Sequence, residues 1–339
     1  MNQASAPGNC QWISLTPTKN EAWIIRQFLA ASQFWADRTI VADQGSTDGT
    51  VETLQRTAGV EVVINDSPVF DEAHRQNILI NQARRKAGQR ILIALDADEA
   101  LSANCLNSPE WEQIARAQPG TILRFRWVNI LPGFEKAWIP PNLIPCGFVD
   151  DGAEHRPTRI HSTRIPTPPN APVLDLKDIV VLHFQYVAWD RVVSKQRWYQ
   201  AWEHLNFPEK RPLDIFRQYN HMHGSWNRDE IHPVRPEWLA AYAHQGIDYH
   251  TLKSEPMMWW DREIVSLISQ HGPERFRKIA LWSKDWSQLA QQLGVPGTDF
   301  NDPRTMTEKL AHRILAASQS RRGSWPIRAF EHLLRKSGW

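Results

Sequence analysis

The segment Arg90-Ile-Leu-Ile-Ala-Leu-Asp-Ala-Asp-Glu99 is an apolar run that ends in three carboxylates. The apolar part is typical of a buried strand. In open α/β sheets, side chains at the carboxyl ends of the strands line the crevice that binds ligands. Two carboxylates separated by one residue can hold a hard divalent cation, which in turn can bind a diphosphate. The segment therefore predicts a metal and nucleotide-diphosphate site at Asp96 and Asp98. The alternative is a cluster of acids that starts a helix, and it applies most to Glu99.

Two further polar segments follow predicted strands. Asp43-Gln-Gly-Ser-Thr-Asp-Gly-Thr50 comes directly after the apolar run 39–42. Its residues are turn formers, so a plain turn is one interpretation, with Asp48 capping the next helix. Asp43 precedes the turn, however, where a carboxylate can accept the N3–H of a uracil or thymine ring. Thr16-Pro-Thr-Lys-Asn-Glu21 can supply backbone and hydroxyl contacts to a base, although Asn20 as a helix N-cap is the simpler interpretation.

Strand and helix patterns alternate along the first half of the chain. The predicted strands are 12–16, 39–42, 60–64 and 90–95, and the predicted helices are 21–35, 49–56 and 71–87. This order predicts an α/β fold on a doubly wound, mostly parallel sheet. Later patterns predict helices at 108–117 and 189–205, strands at 121–130 and 179–184, and a short strand near 159–161 within proline-rich loops. We expect two regions, a catalytic domain over 10–206 and a helical, Trp-rich extension over 207–339.

Composition narrows the function classes. The chain has 339 residues, of which 42% are hydrophobic and 22% charged, as in ordinary globular proteins. Basic and acidic residues nearly balance, at 39 and 37, so no nucleic-acid partner is expected. Three cysteines without short spacing argue against a disulfide framework and indicate a reducing compartment. No signal-peptide pattern or long apolar run is visible, so a cytoplasmic location is predicted. The basic amphipathic segment 326–336 can contact an anionic membrane, but packing on its own domain is the simpler interpretation.

The three polar segments together resemble the signatures of family-2 glycosyltransferases with a GT-A fold. Their residues, order and spacing all match, well over residues 11–105 and more loosely over 150–205. The resemblance implies a nucleotide diphosphate sugar donor, commonly a UDP-sugar, and Mn²⁺ or Mg²⁺ as cofactor. It also implies that Asp43 contacts the base, Arg75 the base or a phosphate, Asp96 the ribose or the metal, and Asp98 the metal. Thr16 and Glu21, from the first segment, are the further candidates for contacts with the nucleotide.

Arg75 departs from the pattern of many relatives, in which an Arg-Asn pair is adjacent. Here Gln76 separates Arg75 from Asn77, and a solvated helix face is the alternative interpretation. His183 ends a predicted strand and is a candidate metal ligand, because a neutral imidazole suits Mn²⁺. A strand-end His bonded to a backbone carbonyl is its alternative. His221, His223 and His232 match no tetrahedral metal spacing and are interpreted as loop histidines.

An inverting transfer needs a carboxylate that deprotonates the acceptor hydroxyl. Asp150, Asp151 and Glu154 are the candidates, and Asp151 is the one chosen, although each can be a simple loop acid. The predicted function is a metal-dependent transfer of a sugar to a hydroxyl of a glycan, lipid-linked or other acceptor, with inversion implied by the resemblance. One alternative is a sugar-phosphate nucleotidyltransferase, which usually has a Gly-rich basic loop after its first strand. The other is a non-catalytic carbohydrate- or nucleotide-binding scaffold that kept the fold.

Overall fold

The computed structural model describes residues 10–221, 228–253, 257–295 and 299–339. Its strands are β1 (Gln11–Thr18), β2 (Arg38–Asp43), β3 (Val60–Ile64), β4 (Arg90–Ala94), β5 (Glu99–Leu101), β6 (Ile122–Ile130), β7 (Lys136–Trp138), β8 (Leu143–Val149), β9 (Val173–His183) and β10 (Ile231–Pro233). Its helices are α1 (Ile25–Ser32), α2 (Thr50–Arg56), α3 (Glu72–Arg84), α4 (Glu110–Arg116), α5 (Trp189–Asn206), α6 (Pro212–Tyr219), α7 (Ala240–His244), α8 (Trp259–His271), α9 (Trp286–Gln292), α10 (Met306–Ala317) and α11 (Trp325–Lys336). Residues 1–9 and His223, on which two sequence interpretations rest, lie outside the described ranges.

The fold is α/β with a mixed central sheet. Strands β3, β2, β1 and β4 are adjacent in that order and parallel, as the first half of the sequence predicts. Beyond β4 the pairing changes, because β8 is antiparallel to both β4 and β6, and β7 is antiparallel to β6. Short connections without a helix join β6, β7 and β8, and antiparallel neighbours allow this. The expectation of an α/β sheet is confirmed, with the parallel pairing concentrated in its first half.

Both faces of the parallel half are covered. One face of β1, β2 and β4 packs against the apolar side of α1, which contributes Phe28 and Leu29. The other face packs against α3, which contributes Leu79 and Ile80. Strands buried on both faces read as near-continuous apolar runs, and this explains why the sequence pattern located them well.

Strand β1 continues through Pro17, where the sequence predicts that it ends. The pairing of β1 with β4 stops at Leu15, whereas its pairing with β2 continues to Thr18. The Leu15 carbonyl accepts a hydrogen bond from Leu95, and the Thr18 carbonyl accepts one from Gln44 on the opposite side. Pro17 therefore faces the side on which β1 has no neighbour, so its missing N–H costs no ladder hydrogen bond. The extra residues carry the Thr18 side chain to the carboxyl edge of the sheet.

The short strand predicted near residues 159–161 is absent from the structure, which has bends at this position. This segment belongs to a loop, residues 153–172, that is held against α3 by side-chain contacts. The Glu72 amide donates to the Arg159 carbonyl at 3.0 Å, and a carboxylate oxygen of Glu72 accepts from the Ser162 amide at 2.9 Å. Ile165, from the same loop, is fully buried. The loop is therefore anchored through α3 and the core, without strand pairing.

Two compact units divide the chain differently from the two predicted regions. The first unit extends to residue 188 and includes 230–253, and the second contains 189–229 and 254–339. Helix α5 packs with α6 and α8 in the second unit, although the prediction placed it in the catalytic domain. Strand β10 extends the first unit's sheet by pairing with β7. In the described residues no helix has both the length and the apolar character needed to cross a membrane.

The second unit is helical and has its own core. Leu334 of α11 is buried with Leu213, Phe216 and Leu315, so part of the apolar stripe predicted at 326–336 packs on its own unit. Leu333, on the same helix, is exposed. Arg217 forms an ion pair with Glu331, which also fastens α11 to α6.

Glu110 supports an irregular part of β9. Its carboxylate accepts hydrogen bonds from three successive backbone amides, those of Lys177 at 2.7 Å, Asp178 at 3.1 Å and Ile179 at 2.8 Å. These residues lie where the register between β6 and β9 shifts. We expect Glu110→Gln to lower the free energy of unfolding by about 2 kcal/mol, because the amide puts a donor against backbone donors. Urea unfolding measures this loss. Glu112→Gln, at an exposed position paired only with Arg116, is the control, and equal losses for both variants would contradict the expectation.

Candidate active site at the carboxyl edge of the sheet

The structure brings four of the predicted site residues to one edge of the sheet. Asp43 ends β2, Asp96 and Asp98 follow β4, and His183 ends β9. Strand β5 pairs with β9 so that Glu99 lies opposite His183. The Asp98 carbonyl also accepts a hydrogen bond from the Phe184 amide at 2.8 Å. The acids after β4 and the histidine after β9 are therefore held together by backbone pairing.

Asp98 and His183 lie next to each other at this edge, with 3.6 Å between Asp98 Oδ2 and His183 Nε2. The other ring nitrogen, Nδ1, lies 2.8 Å from Asn129 Oδ1. The Asn129 amide nitrogen donates to the Trp138 carbonyl, which fixes the orientation of the amide. Nδ1 must therefore carry a proton, and Nε2 faces Asp98. The ring also stacks on Trp127, with the centroids 4.6 Å apart.

This arrangement suits a divalent cation. A metal-binding histidine usually donates its second ring N–H to a fixed acceptor, as His183 does to Asn129. In the parts of the chain that the structure describes, no group of three or more His, Cys, Asp or Glu residues is placed to hold a metal. Mg²⁺ and similar ions are commonly bound through one or two protein ligands, with water and phosphate oxygens completing the shell. Asp98 and His183 supply two such ligands.

Arg164 is a site residue that the sequence interpretation missed. It is carried to the edge by the 153–172 loop, where its guanidinium pairs with Asp96 at 2.8 Å and contacts both oxygens of Glu99. Burial lowers the pKa of Arg164, but the charges of Asp96 and Glu99 outweigh it and raise the pKa well above its ordinary value. Arg164 is therefore a fixed positive charge. No local pattern marks it, because its partners lie about 65 residues away along the chain.

Glu99 is the buried centre of this cluster. Its side chain has no exposed surface, and it accepts hydrogen bonds from Trp127 Nε1 at 2.9 Å and from the Asp96 amide at 2.9 Å. It starts β5, so the helix-start interpretation of this acid is wrong. Glu99 orients Arg164, and through it the Asp96 carboxylate, at the edge.

Asp43 is held in place by its own turn and by β1. Its carboxylate accepts hydrogen bonds from the Thr18 hydroxyl at 3.0 Å and from the Ser46 hydroxyl and amide at 2.5 and 2.9 Å. A carboxylate has about four lone-pair positions, so acceptor capacity is left for a further donor. Thr18 is the hydroxyl that reaches the edge. Thr16, the predicted contact of the base, is fully buried within β1.

The turns after β1 and β2 are hydrogen-bonded to each other. The Asn20 amide donates to the Ser46 hydroxyl at 2.8 Å, and Asn20 Oδ1 accepts from the Thr47 amide at 2.7 Å. Asn20 is therefore not the N-cap of α1, which begins at Ile25. The N-cap of α2 is Gly49 and not, as the sequence predicted, Asp48, which precedes it and accepts from the Thr50 and Ala22 amides. The two turns thus form one preorganised rim around Asp43.

Glu21 and Arg75, two further predicted site residues, contact different parts of the chain. A carboxylate oxygen of Glu21 accepts a hydrogen bond from Trp23 Nε1 at 2.6 Å. The Arg75 guanidinium lies 5.1 Å from the Phe70 ring centroid and 3.4 Å from Glu72. Its Nε atom is buried without a hydrogen-bond partner among the described residues. The next residue, Gln76, bonds His155 on the 153–172 loop, so Arg75 neighbours the loop that carries Arg164.

Asp151, the predicted base, lies at the opposite edge of the sheet from Asp98. Val149 pairs with Ile91 near the start of β4, because β8 and β4 are antiparallel. The length of β4 therefore separates Asp151 from Asp98, about 15 Å for a strand of this size. Asp151 accepts a hydrogen bond from the Ala153 amide, as a loop acid does. Its position does not support a direct contact with a substrate held at Asp98.

The carboxylate of Asp150, the neighbouring candidate, is buried and forms ion pairs with two arginines. Arg84 and Arg90 contact its carboxylate at 2.7 and 2.8 Å. Burial raises the pKa of Asp150, but the hydrogen bonds from both arginines lower it more, so its pKa lies below the ordinary value. Glu154, the remaining candidate, pairs with Arg156 and is exposed. None of the three acids is placed at the Asp98 edge.

Asp150→Asn is expected to lower the free energy of unfolding by about 2 kcal/mol at pH 7, because it removes the charge from two charge-assisted hydrogen bonds. The pKa of Asp150 is lower in the folded than in the unfolded chain, so its stabilisation is present above the unfolded value of about 3.9 and is lost as the pH falls below it. Urea unfolding at pH 7 and pH 3 measures this. A difference between wild type and variant that stays constant or grows at pH 3 would contradict the account.

Comparison with known proteins gives no family for this chain. Neither a protein-family model nor a curated protein matches the sequence. Among solved structures, the crystal structure of HddC from Yersinia pseudotuberculosis aligns with 51% of this chain and 93% of its own, at 9% identity and a TM-score of 0.30. A likeness at this level carries no argument about function.

Proposed function

We propose that this protein is a metal-dependent glycosyltransferase with a GT-A-like first unit. The observation that carries the proposal is the pairing of Asp98 with the Nε2 atom of His183, fixed by Asn129, at the carboxyl edge of the sheet. Asp43, which ends β2 at the same edge, supports it. The resemblance of the three edge segments to family-2 glycosyltransferases gives the reaction class.

In the proposed mechanism, Asp98 and His183 would hold Mn²⁺ or Mg²⁺, and the donor would be a nucleotide sugar, commonly a UDP-sugar. The chemistry supplied by such a cation would be neutralisation of charge on the departing nucleotide diphosphate. Asp43 accepts a hydrogen bond from the base. Arg164 compensates the charge of Asp96 and fixes that carboxylate beside the site. The acceptor is a hydroxyl of a glycan, lipid-linked or other molecule.

A donor-hydrolysis assay tests the proposal. The purified full chain is incubated with UDP-glucose, UDP-galactose, UDP-N-acetylglucosamine or GDP-mannose, with and without Mn²⁺, and nucleotide diphosphate release is measured. We expect release from at least one donor that requires Mn²⁺ and is lost in Asp98→Ala. Asp151→Ala, at the opposite edge of the sheet, is the matched control and should keep the activity.

Two results would replace the proposal with an alternative. Pyrophosphate release from a nucleoside triphosphate and a sugar phosphate would identify a nucleotidyltransferase. Metal-dependent nucleotide binding without release from any donor or acceptor combination would identify a binding scaffold.

A further inference from the structure

A basic cavity of about 370 Å³ lies in the first unit, away from the site at Asp98. Arg126 and Val180, which are register partners on β6 and β9, form one wall, and His232 of β10 and Arg235 form another. Successive side chains of a strand point to opposite faces. Trp127, the neighbour of Arg126, contacts Glu99 and His183, so the cavity opens on the other face of β6.

The charges in this cavity all have one sign. Its lining includes Arg126, Lys177, His232 and Arg235, and none of its lining residues is acidic. Within the described ranges the structure gives the side chains of Arg126 and Arg235 no ion pair, whereas Lys177, after Arg124, helps to lower the pKa of Asp175. Arg124, two residues earlier on β6, shows the contrast, because it forms a double hydrogen bond with Asp175 at 2.6 and 2.7 Å. Arg126 and Arg235 line one cavity, so their like charges repel each other, and an anion bound there offsets this repulsion.

Specific contacts hold these cations in position. The Arg235 guanidinium lies 5.4 Å from the ring centroid of the buried Trp238. Lys177 belongs to the irregular part of β9 that Glu110 supports through its carboxylate. His232 is held by the pairing of β10 with β7, where it lies opposite Ala137. The backbones of Lys177 and His232 are therefore positioned by the sheet, and the Arg235 side chain by its aromatic contact.

We propose that this cavity binds a small phosphorylated ligand, a sugar phosphate. Guanidinium groups match the oxygens of a phosphate through forked, charge-assisted hydrogen bonds. Ile139 and Val180 provide an apolar wall for the carbon skeleton. The volume lies in the range of small-molecule sites and is too small for a polymer. The site is separate from the proposed donor site and does not depend on its metal.

Isothermal titration calorimetry on the full chain with glucose 6-phosphate, glucose and inorganic phosphate tests this proposal. We expect glucose 6-phosphate to bind more tightly than either of the others. The double variant Arg126→Gln with Arg235→Gln should weaken its binding at least about tenfold, since two charged phosphate contacts are removed. Arg85→Gln, at an exposed cation directly after α3, is the matched control and should bind as wild type does.

Three results would overturn the proposal. The first two are binding of glucose, or of inorganic phosphate, that is as tight as the binding of glucose 6-phosphate. The third is a double variant that binds glucose 6-phosphate with wild-type affinity. Thermal unfolding of each variant checks that it is folded. Titration of the Asp98→Ala variant with glucose 6-phosphate in EDTA distinguishes the basic cavity from the proposed donor site. Binding that persists there belongs to the basic cavity even if the proposed donor site fails, whereas binding that is lost belongs to the Asp98 edge and refutes the separate site.

Discussion

Replacing Asp98 with Ala is expected to abolish metal-dependent nucleotide binding. In the proposed site Asp98 is one of two protein ligands of the cation, and the other, His183, lies 3.6 Å from it. A cation left with one protein ligand binds weakly, so we expect the affinity for nucleotide in Mn²⁺ to fall at least about 100-fold. A thermal-shift titration with UDP, GDP and dTDP, each with and without Mn²⁺, measures this, because a ligand of the native state raises the melting temperature.

Two further variants sharpen this test. Asn129→Asp keeps an acceptor for His183 Nδ1 and should retain metal-dependent binding, whereas Asn129→Leu removes the acceptor and should weaken it about tenfold. Asp66→Ala removes an exposed acid whose recorded partner is His74, and it should change nothing. If Asp98→Ala kept the wild-type shift with Mn²⁺, the assignment of the metal to this edge would be wrong.

Glu99→Ala is expected to lower the free energy of unfolding by about 3–5 kcal/mol, because it breaks a buried ion pair from one side. The variant leaves the Arg164 guanidinium without its main partner and Trp127 Nε1 without an acceptor. It also frees the Asp96 amide. Urea unfolding of the full chain measures the loss.

A double-mutant cycle separates the ion pair from other effects of this change. Arg164→Met alone leaves Glu99 buried without its cation, so it should also destabilise the protein. The double variant Glu99→Ala with Arg164→Met should lose clearly less than the sum of the single variants, since no charge is left unpaired. Glu112→Ala, at an exposed position, is the control for loss of a glutamate. Additive losses, or a loss below about 1 kcal/mol for Glu99→Ala, would contradict the proposed cluster.

The parallel half of the fold follows from local sequence patterns. Strand β3 has the bounds that the sequence predicts, and β2 and β4 differ only at their ends. These strands are buried between helices, so their apolar runs are continuous and bounded by turn formers. The antiparallel half is harder to predict. Nothing local in β8 shows that it pairs with β4, since that partner lies more than 50 residues earlier.

The reach of local sequence patterns also decides which of the candidate site residues could be predicted. Asp43, Asp96 and Asp98 follow parallel strands, and the carboxyl ends of such strands share one edge. His183 was found because β9 ends at the same edge. Asp151 was misplaced because the antiparallel direction of β8 carries its end to the other edge. Arg164 could not be found, because the loop that carries it is placed by contacts of α3 with residues that have no strand or helix pattern.

The central claim is that Asp98 and His183 bind a divalent cation that holds a nucleotide diphosphate. Anomalous X-ray diffraction at the manganese edge, from crystals grown with MnCl₂ and UDP, tests it most directly. The account predicts one strong anomalous peak within about 2.0–2.3 Å of an Asp98 carboxylate oxygen and of His183 Nε2, with diphosphate oxygens completing the shell. A manganese peak elsewhere, or bound UDP with no metal at these two side chains, would contradict it.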